Sequence, residues 1–287
     1  MQAVYFNGRW IAPEEANISA FDRGFLFGDG VYEVIPAFNR RLFGAGAHLD
    51  RLTRSLDQID IQDPLTRAQW MDVLVRLVSE CGADDVSIYI QVTRGATAKR
   101  DHAYPNPPLP PTVLASASAI VPLSAEIFTK GAKAITVPDL RWGRCDIKSV
   151  NLLPNIMARQ QAVAAGAVEA IMVREGIALE GAASNLFAVI DDELLTAPLG
   201  PHILGGVTRN RLVDMVKDQG QIPLLEVPIP FDRLFDATEV FMTSSTRDLL
   251  PITRINAHPV GTGKVGPIWT KLSKAFTKLK QQRETLE

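Results

Sequence analysis

Arg141-Trp-Gly-Arg-Cys-Asp-Ile-Lys148-Ser-Val-Asn-Leu-Leu153 is the stretch from which the fold of this chain can be interpreted. Its first part is typical of a β-strand that ends at Lys148, and the segment from Pro154 to Ala165 is predicted to be a helix. A lysine at the end of a strand and before a helix projects into the region where α/β folds bind their ligands. If its amine is partly desolvated, it can form a Schiff base with a carbonyl compound. Since most lysines are solvated surface charges, the rest of the chain must decide between the two interpretations.

The composition is that of a globular enzyme and limits the partners to be expected. With 287 residues, of which 46% are hydrophobic and 22% charged, the chain is long enough for two domains. A net charge of −2 gives no reason to expect nucleic acid or an anionic membrane as a partner. Cys81 and Cys145 make no disulfide framework, and the four dispersed histidines do not indicate a metal site. The absence of a signal-peptide pattern and of a membrane-spanning apolar run predicts a cytoplasmic protein.

Local patterns predict an α+β protein. Asn7-Gly8 between two short apolar runs predicts a β-hairpin, because this pair supplies the positive φ angles of the turn. Thr66 and Gln69 form a capping box for a helix that stops at Gly82. Strict alternation predicts a half-buried strand over residues 86–94. We assign residues 1–119 to an N-terminal α/β domain, residues 120–129 to a linker and residues 130–287 to a C-terminal domain.

Two clusters of hydrogen-bond donors occur in the predicted C-terminal domain. Gly205-Gly206-Val207-Thr208 places two glycines at the start of a helix, where backbone N–H groups, the helix dipole and a hydroxyl favour an anion. Thr243-Ser244-Ser245-Thr246 follows a predicted strand directly and offers further hydroxyls. Taken alone, each cluster is as well explained by a turn or a polar loop. Together with a candidate Schiff-base lysine they indicate a phosphorylated carbonyl cofactor, and pyridoxal 5'-phosphate combines both groups.

That cofactor needs an anionic partner for its ring nitrogen, since the protonated ring takes up the electrons of the reacting carbon. Glu180 is a candidate, because it stands at a glycine-bearing bend before a predicted strand, in Leu179-Glu180-Gly181. The alternative is an ordinary surface glutamate.

Three of these motifs together resemble the fold-type IV pyridoxal-phosphate enzymes. They are Cys145-Asp-Ile-Lys148-Ser-Val-Asn-Leu-Leu, Glu180-Gly-x-x-Ser-Asn-x-Phe187 and Gly206-Val-Thr-Arg209. Phe27-Gly-Asp-Gly-Val-Tyr32-Glu and His48-Leu-Asp-Arg51-Leu are similar to the N-terminal half of the same family, which includes branched-chain and D-amino-acid aminotransferases and aminodeoxychorismate lyase. The resemblance covers nearly the whole chain in the right order. It implies the two-domain α+β fold of these enzymes, with the C-terminal domain binding the cofactor.

The resemblance also implies a role for each matching residue. Lys148 would form the Schiff base with the cofactor, and Glu180 would meet the pyridine nitrogen. The remaining cofactor-binding residues would hold the phosphate or support the ring: Arg51, the amides of Val207 and Thr208, Ser245 with the neighbouring Ser244, and Leu204 against the ring. For Arg51 this phosphate role replaces the simpler interpretation as a solvated helix charge.

Within the family, the likeness is greatest to D-amino-acid transaminases. Arg100-Asp-His102 matches their Arg-x-His carboxylate trap, which works with Tyr32, and guanidinium, imidazole and phenol can all donate to a carboxylate. The resemblance implies a homodimer in which Arg100 and His102 reach the neighbouring subunit's site. It implies transamination between a D-amino acid (D-alanine, D-glutamate) and a 2-keto acid (2-oxoglutarate, pyruvate). The spacing from Arg94-Gly95 to Arg100 looks one residue longer than in the bacterial enzymes, which leaves the path of the 95–111 loop open.

Other activities remain open on the same scaffold. A branched-chain L-amino-acid aminotransferase typically carries Gly-x-Arg after the Tyr-x-Glu pattern, and Tyr32-Glu-Val-Ile-Pro36 departs from this. An (R)-amine:pyruvate transaminase is the other alternative, because loop changes alone redirect this fold. The intact Arg-His pair disfavours the lyase. A non-catalytic binding protein would be expected to have lost Lys148, which is present.

Overall fold

The chain divides into two compact units, and each is described by itself. The computed structural model describes residues 3–281. Of the described residues, unit 1 takes in 3–121 and the short segment Ile147–Asn151, whereas unit 2 takes in Pro122–Asp146 and 152–281. Lys148 therefore lies in unit 1, although the sequence analysis assigned it to the C-terminal domain.

Unit 1 is a six-stranded antiparallel sheet with helices packed on it. Its elements are β1 (Val4–Phe6), β2 (Arg9–Ile11), α1 (Arg23–Phe27), β3 (Gly30–Phe38), β4 (Arg41–Leu42), α2 (Ala45–Asp57), α3 (Arg67–Cys81), β5 (Val86–Thr93) and β6 (Thr112–Ala119). The strand order is β2-β1-β6-β5-β3-β4. Alternate residues of β5 are buried with the apolar residues of α2 and α3, while the residues between them, such as Tyr89 and Gln91, are half-buried on the opposite face. The predicted half-buried strand is thus confirmed.

Local signals of the chain form as predicted in unit 1. Asn7 and Gly8 have φ angles of 46° and 83°, so the hairpin between β1 and β2 is confirmed. The side chains of Thr66 and Gln69 each accept a hydrogen bond from the other's backbone amide, and α3 ends at Gly82 with a φ of 74°. These elements depend on a few adjacent residues only, which is why the sequence predicts them.

Unit 2 contains a mixed ten-stranded sheet and four helices. Its elements are α4 (Ala125–Lys130), β7 (Ala132–Pro138), α5 (Leu153–Ala164), β8 (Glu169–Arg174), β9 (Ile177–Gly181), β10 (Asn185–Ile190), β11 (Glu193–Thr196), α6 (Val207–Gln219), β12 (Leu224–Glu226), β13 (Ile229–Pro230), β14 (Glu239–Ser244), β15 (Asp248–Ile255), β16 (His258–Pro259) and α7 (Pro267–Gln281). The order is β12-β11-β10-β14-β15-β7-β8-β9-β13, with β16 beside β15. A further pair, Asn185 with Glu180, joins β9 back to β10, so six of these strands close a ring. Within residues 3–281 no helix is long and apolar enough to cross a membrane.

Two local expectations for the second half of the chain are wrong. The stretch from Arg141 to Lys148 forms no strand, because Asp139 accepts hydrogen bonds from the amide and side chain of Arg141 and so turns the chain locally. Glu180 lies in strand β9 and not at a bend before a strand. The predicted linker, residues 120–129, includes the boundary between the two units at Val121 and Pro122 and also most of α4, whose first turn is capped by the Ser124 hydroxyl.

Candidate active site

The backbone around Lys148 is fixed to strand β3. The amide of Tyr32 donates to the Lys148 carbonyl at 3.0 Å, and Val31 forms an antiparallel bridge with Ser149. On its other side, the Lys148 amide donates to the Ser55 hydroxyl of helix α2 at 3.3 Å. The position of Lys148 thus comes from pairing with β3 and α2, not from a strand of its own.

The amine of Lys148 faces an aromatic ring. Its Nζ lies 4.1 Å from the centre of the Tyr32 ring, a distance at which the cation is attracted to the ring face. Among residues 3–281 no carboxylate lies within ion-pair distance of this amine, and the residue is half-buried. An amine without a carboxylate partner is suited to react with a carbonyl group.

Next to this segment, a buried charge cluster joins β3 to α2. The Glu33 carboxylate accepts from Arg51 Nε at 2.6 Å and from Arg51 Nη2 and His48 Nδ1, both at 2.8 Å. Burial alone would raise the pKa of Glu33, but the charge and hydrogen bonds of Arg51, aided by His48, outweigh burial and hold this pKa far below its ordinary range. Burial also lowers the pKa of His48. Arg51 is therefore a buried, oriented cation, and the interpretation as a solvated helix charge is excluded.

The three predicted carboxylate-binding residues fall into two groups. Tyr32 lies beside Lys148 and also near Tyr89, at 5.8 Å between ring centres; burial raises the pKa of Tyr89 to about 12. Arg100 and His102 are exposed and both rest on Phe27, with the guanidinium carbon 4.8 Å and the imidazole 5.2 Å from the ring centre. Within residues 3–281 no hydrogen bond, ion pair or ring contact joins Arg100 or His102 to Tyr32 or Lys148.

In unit 2, Glu180 is buried at the centre of a set of donors. Arg141 Nη1 forms a short ion pair with it, Asn185 Nδ2 donates at 2.9 Å, and the Leu204 amide donates at 3.2 Å. The alternative of a surface glutamate is thus excluded, since the residue is 4% exposed. Asp139 in turn fixes Arg141, because its Oδ1 accepts a hydrogen bond from Arg141 Nε at 2.9 Å. Sequence reasoning missed these two residues, although an Asp-x-Arg pair before the lysine stretch was a visible signal.

The start of helix α6 is shaped for close approach. Gly206 is the N-cap, and no side chain caps the helix. A Cβ at this position would lie 2.0 Å from Asn185 Oδ1, so only glycine fits. Val207 and Thr208, which follow, are buried. The first backbone amides of α6 have no acceptor within the helix, so they can donate hydrogen bonds to an anion that approaches the backbone closely.

Hydroxyl groups gather at the end of β14, against which α6 packs. Thr243 Oγ1 is buried and has no hydrogen-bond partner among the described residues. Ser244 ends β14 and Ser245 begins the following turn, both half-buried. Thr243, Ser244 and Ser245 follow one another in the sequence, so this end of β14 is rich in hydroxyl groups, which can donate to a phosphate.

Each unit, taken by itself, carries groups that suit the chemistry of pyridoxal 5'-phosphate. Unit 1 offers an amine for the aldehyde and an oriented arginine, Lys148 and Arg51. Unit 2 offers a buried carboxylate for a protonated ring nitrogen, Glu180, and a helix start without a side-chain cap, whose backbone amides suit an anion. The described residues contain no cluster of histidine, cysteine and acidic side chains that could hold a metal ion.

Comparison with known proteins agrees with this chemistry. The model of the amino-transferase class IV family matches residues 30–255. D-alanine aminotransferases of Staphylococcus epidermidis and Listeria monocytogenes are each 39% identical to this chain, the first over 97% of this chain and 98% of its own length, the second over 95% and 94%. That of Staphylococcus haemolyticus is 37% identical over 99% and 100%.

Two solved structures with a similar fold are named branched-chain amino acid aminotransferases. The branched-chain amino acid aminotransferase of Escherichia coli has a TM-score of 0.90 at 22% identity, covering 99% of this chain and 97% of its own, and so shows the fold alone. That of T.th., solved with pyridoxamine 5'-phosphate, has a TM-score of 0.88 at 27% identity, covering 98% and 95%. The expected fold type IV and its cofactor, pyridoxal 5'-phosphate, are confirmed. The chain belongs to the class IV aminotransferase family.

Proposed function

We propose that this protein transfers the amino group of a D-amino acid, such as D-alanine or D-glutamate, to a 2-keto acid, such as pyruvate or 2-oxoglutarate. Relatives that match almost the full chain are named D-alanine aminotransferases. The observation that carries the proposal is the exposed Arg100–His102 pair, two donors for a substrate carboxylate held side by side on Phe27.

The bound cofactor supplies an aldehyde carbon that captures the amino group and a ring that takes up the negative charge left at Cα. Lys148 would hold the cofactor's aldehyde carbon until the substrate's amine takes its place. Its Nζ, once free, would act as the base that removes the Cα proton and as the acid that returns it. The ring of Tyr32, 4.1 Å away, keeps this amine in place between the two transfers.

The other residues orient the reaction. Glu180, fixed by Arg141 and Asn185, would favour the protonated form of the ring nitrogen. The phosphate is assigned to Arg51, Val207, Thr208, Ser244 and Ser245, and the ring face to Leu204. Arg51 is pre-oriented for this by Glu33, which occupies its Nε and one Nη.

We also propose a homodimer whose active sites are shared, with Arg100 and His102 serving the partner's site. In support, these residues contact neither Tyr32 nor Lys148 among the residues that the structure describes. Helix α5 also carries a stripe of exposed apolar side chains that suits a subunit interface: Leu153, Ile156, Met157 and Val163. A cytoplasmic location is part of the proposal, because Cys81 and Cys145 are both free thiols.

One experiment distinguishes this function from branched-chain L-amino-acid transamination, the activity for which the similar solved structures are named. The purified enzyme is assayed with D-alanine, L-alanine and L-leucine, each with 2-oxoglutarate, and D-alanine should be the preferred donor. Arg100→Ala should lower kcat/KM for D-alanine about ten- to a hundredfold, since a charged hydrogen bond contributes about 1.5–3 kcal/mol. D-alaninol, which lacks the carboxylate, should be little affected. Preference for L-leucine would establish the branched-chain activity instead.

A further inference from the structure

We propose that Arg23 and Asp29 are positioning residues for the substrate's carboxylate, acting by fixing the loop that carries Arg100 and His102. The inference rests on the proposed function, because it deepens the carboxylate site assigned there. Arg23 and Asp29 would act through the backbone of the loop and not by touching the substrate.

Arg23 binds the backbone of the trap itself. Its Nη1 donates to the carbonyls of Asp101 at 2.6 Å and Ala103 at 3.2 Å, and its Nη2 donates to the carbonyl of His102 at 3.2 Å. Three consecutive carbonyls are thus held by one guanidinium, which is itself 3% exposed. The amide of Arg23 also donates to the carbonyl of Gly95, at the start of the loop, at 2.9 Å.

Asp29 connects this guanidinium to the residues that flank the trap. Its Oδ2 accepts from Arg23 Nε at 2.7 Å and from Arg94 Nε at 2.8 Å, and its Oδ1 accepts from Arg94 Nη2 at 3.0 Å. The Arg94 guanidinium in turn lies 3.6 Å from the centre of the Tyr104 ring. One carboxylate therefore links the residue before the loop, Arg94, with Tyr104 after the trap.

Phe27 supplies the surface on which the trap side chains rest. Its ring is contacted by the guanidinium of Arg23 at 4.9 Å as well as by Arg100 and His102. Phe27 and Arg23 are the two ends of the short helix α1, whose N-cap side chain Asp22 also binds Thr93 and Thr112 on β5 and β6. Through α1, the exposed loop that carries Arg100 and His102 is therefore anchored to strands β5 and β6 of the sheet.

Fixing a loop in advance matters because a carboxylate displaced by about 1 Å can cost about a hundredfold in rate. It also spares the substrate the entropy of ordering the loop. Lysine cannot replace Arg23 in this role, since a single ammonium cannot reach three carbonyls and Asp29 in the same geometry. The effect should therefore be confined to substrates that have a carboxylate.

The test compares Arg23→Lys with Arg41→Lys, a control at an exposed arginine of β4. In half-reactions of the loaded enzyme, Arg23→Lys should raise KM for D-alanine about tenfold or more with a smaller change in kcat, and leave D-alaninol within about twofold. The cofactor's absorption spectrum should not change. Independently of activity, trypsin should cut after Lys99 and Arg100 about tenfold faster than in the control, because the loop backbone is released.

A second variant, Phe27→Leu, removes the ring and keeps an apolar side chain, and should give the same selective loss if Arg23→Lys does not fold. Equal losses on both substrates, or unchanged KM with unchanged proteolysis, would overturn the inference. An Arg100→Ala variant with unaltered preference for D-alanine over D-alaninol would instead overturn the proposed carboxylate site. In that case the proteolysis result still decides whether Arg23 holds the loop.

Discussion

Lys148 shows at the scale of one residue how an ordinary side chain becomes reactive. Its amine faces the ring of Tyr32 and has no carboxylate partner among the described residues. Borohydride reduction of the loaded, yellow protein should therefore fix a phosphopyridoxyl group on the peptide that contains Lys148. Lys148→Ala should lose the yellow colour and the label, whereas Lys264→Ala, at a lysine remote in sequence from the site residues, should keep both. A label mapped to another lysine would contradict the assignment.

Cys145 is a contrasting residue in the same stretch. Burial raises the pKa of its thiol to about 11, with the charge of Arg141 opposing the effect. Since the thiolate is the reactive form, almost none is present at neutral pH. A nucleophilic role for Cys145 therefore has no support in its surroundings.

At the scale of the element, the start of α6 depends on Gly206. An added Cβ would lie 2.0 Å from Asn185 Oδ1, and Asn185 also binds Glu180. Gly206→Ala should therefore weaken the binding of pyridoxal 5'-phosphate to the cofactor-free protein about ten- to a hundredfold, as expected when charged hydrogen bonds are disturbed. Gly143→Ala, where nothing lies within 4 Å of a new Cβ, is the matched control. Equal affinities, measured by fluorescence titration, would exclude phosphate binding at this helix start.

The contact between β3 and α2 makes stability depend on pH. The pKa of Glu33 is lowered in the folded state, so its contribution is present above the unfolded value and is lost as the pH falls. The pKa of His48 is also lowered, so the folded state takes up its proton less readily below about pH 6.5, and stability again falls on acidification. The free energy of unfolding should therefore fall as the pH is lowered below about 6.5, the ordinary pKa of histidine.

Urea unfolding of the full chain between pH 7.5 and 5.5 tests this dependence. His48→Gln keeps a side-chain donor for Glu33 and cannot be protonated, so its stability should vary less with pH than that of the wild type. His258→Gln, at an exposed histidine, should vary as the wild type does. If all three proteins show the same slope, His48 does not carry the effect.

At the scale of the whole molecule, the proposed shared site predicts complementation. Lys148→Ala should be inactive on D-alanine, and Arg100→Ala should show the ten- to hundredfold loss of kcat/KM expected above. Mixed dimers of the two should regain part of the activity, because one of their two sites combines an intact Lys148 with an intact Arg100 from the other chain. Subunit exchange is checked with two tagged wild-type chains. Mixed dimers that form and remain inactive would place Arg100 at the site of its own chain.

The sequence by itself determined what depends on neighbouring residues. The hairpin at Asn7-Gly8 forms because two positive φ angles are required within one turn, and the Thr66 capping box acts over three residues. The glycine start of α6 and the strand over β5 follow from local patterns in the same way. The lysine, glutamate and glycine motifs sufficed to identify the family and its cofactor. The chemistry of that cofactor requires these particular groups, so other residues cannot replace them.

Only the tertiary structure decided the partners of those groups. The Lys148 segment pairs with β3, more than a hundred residues earlier, so it belongs to unit 1 and is not a strand of its own. Arg141 on Glu180, Glu33 on Arg51, and Arg23 on the carbonyls of the trap loop are likewise contacts between distant parts of the chain. Local patterns record backbone preference over a few residues, whereas a buried charge takes whichever donor the packing of remote segments brings within about 3 Å.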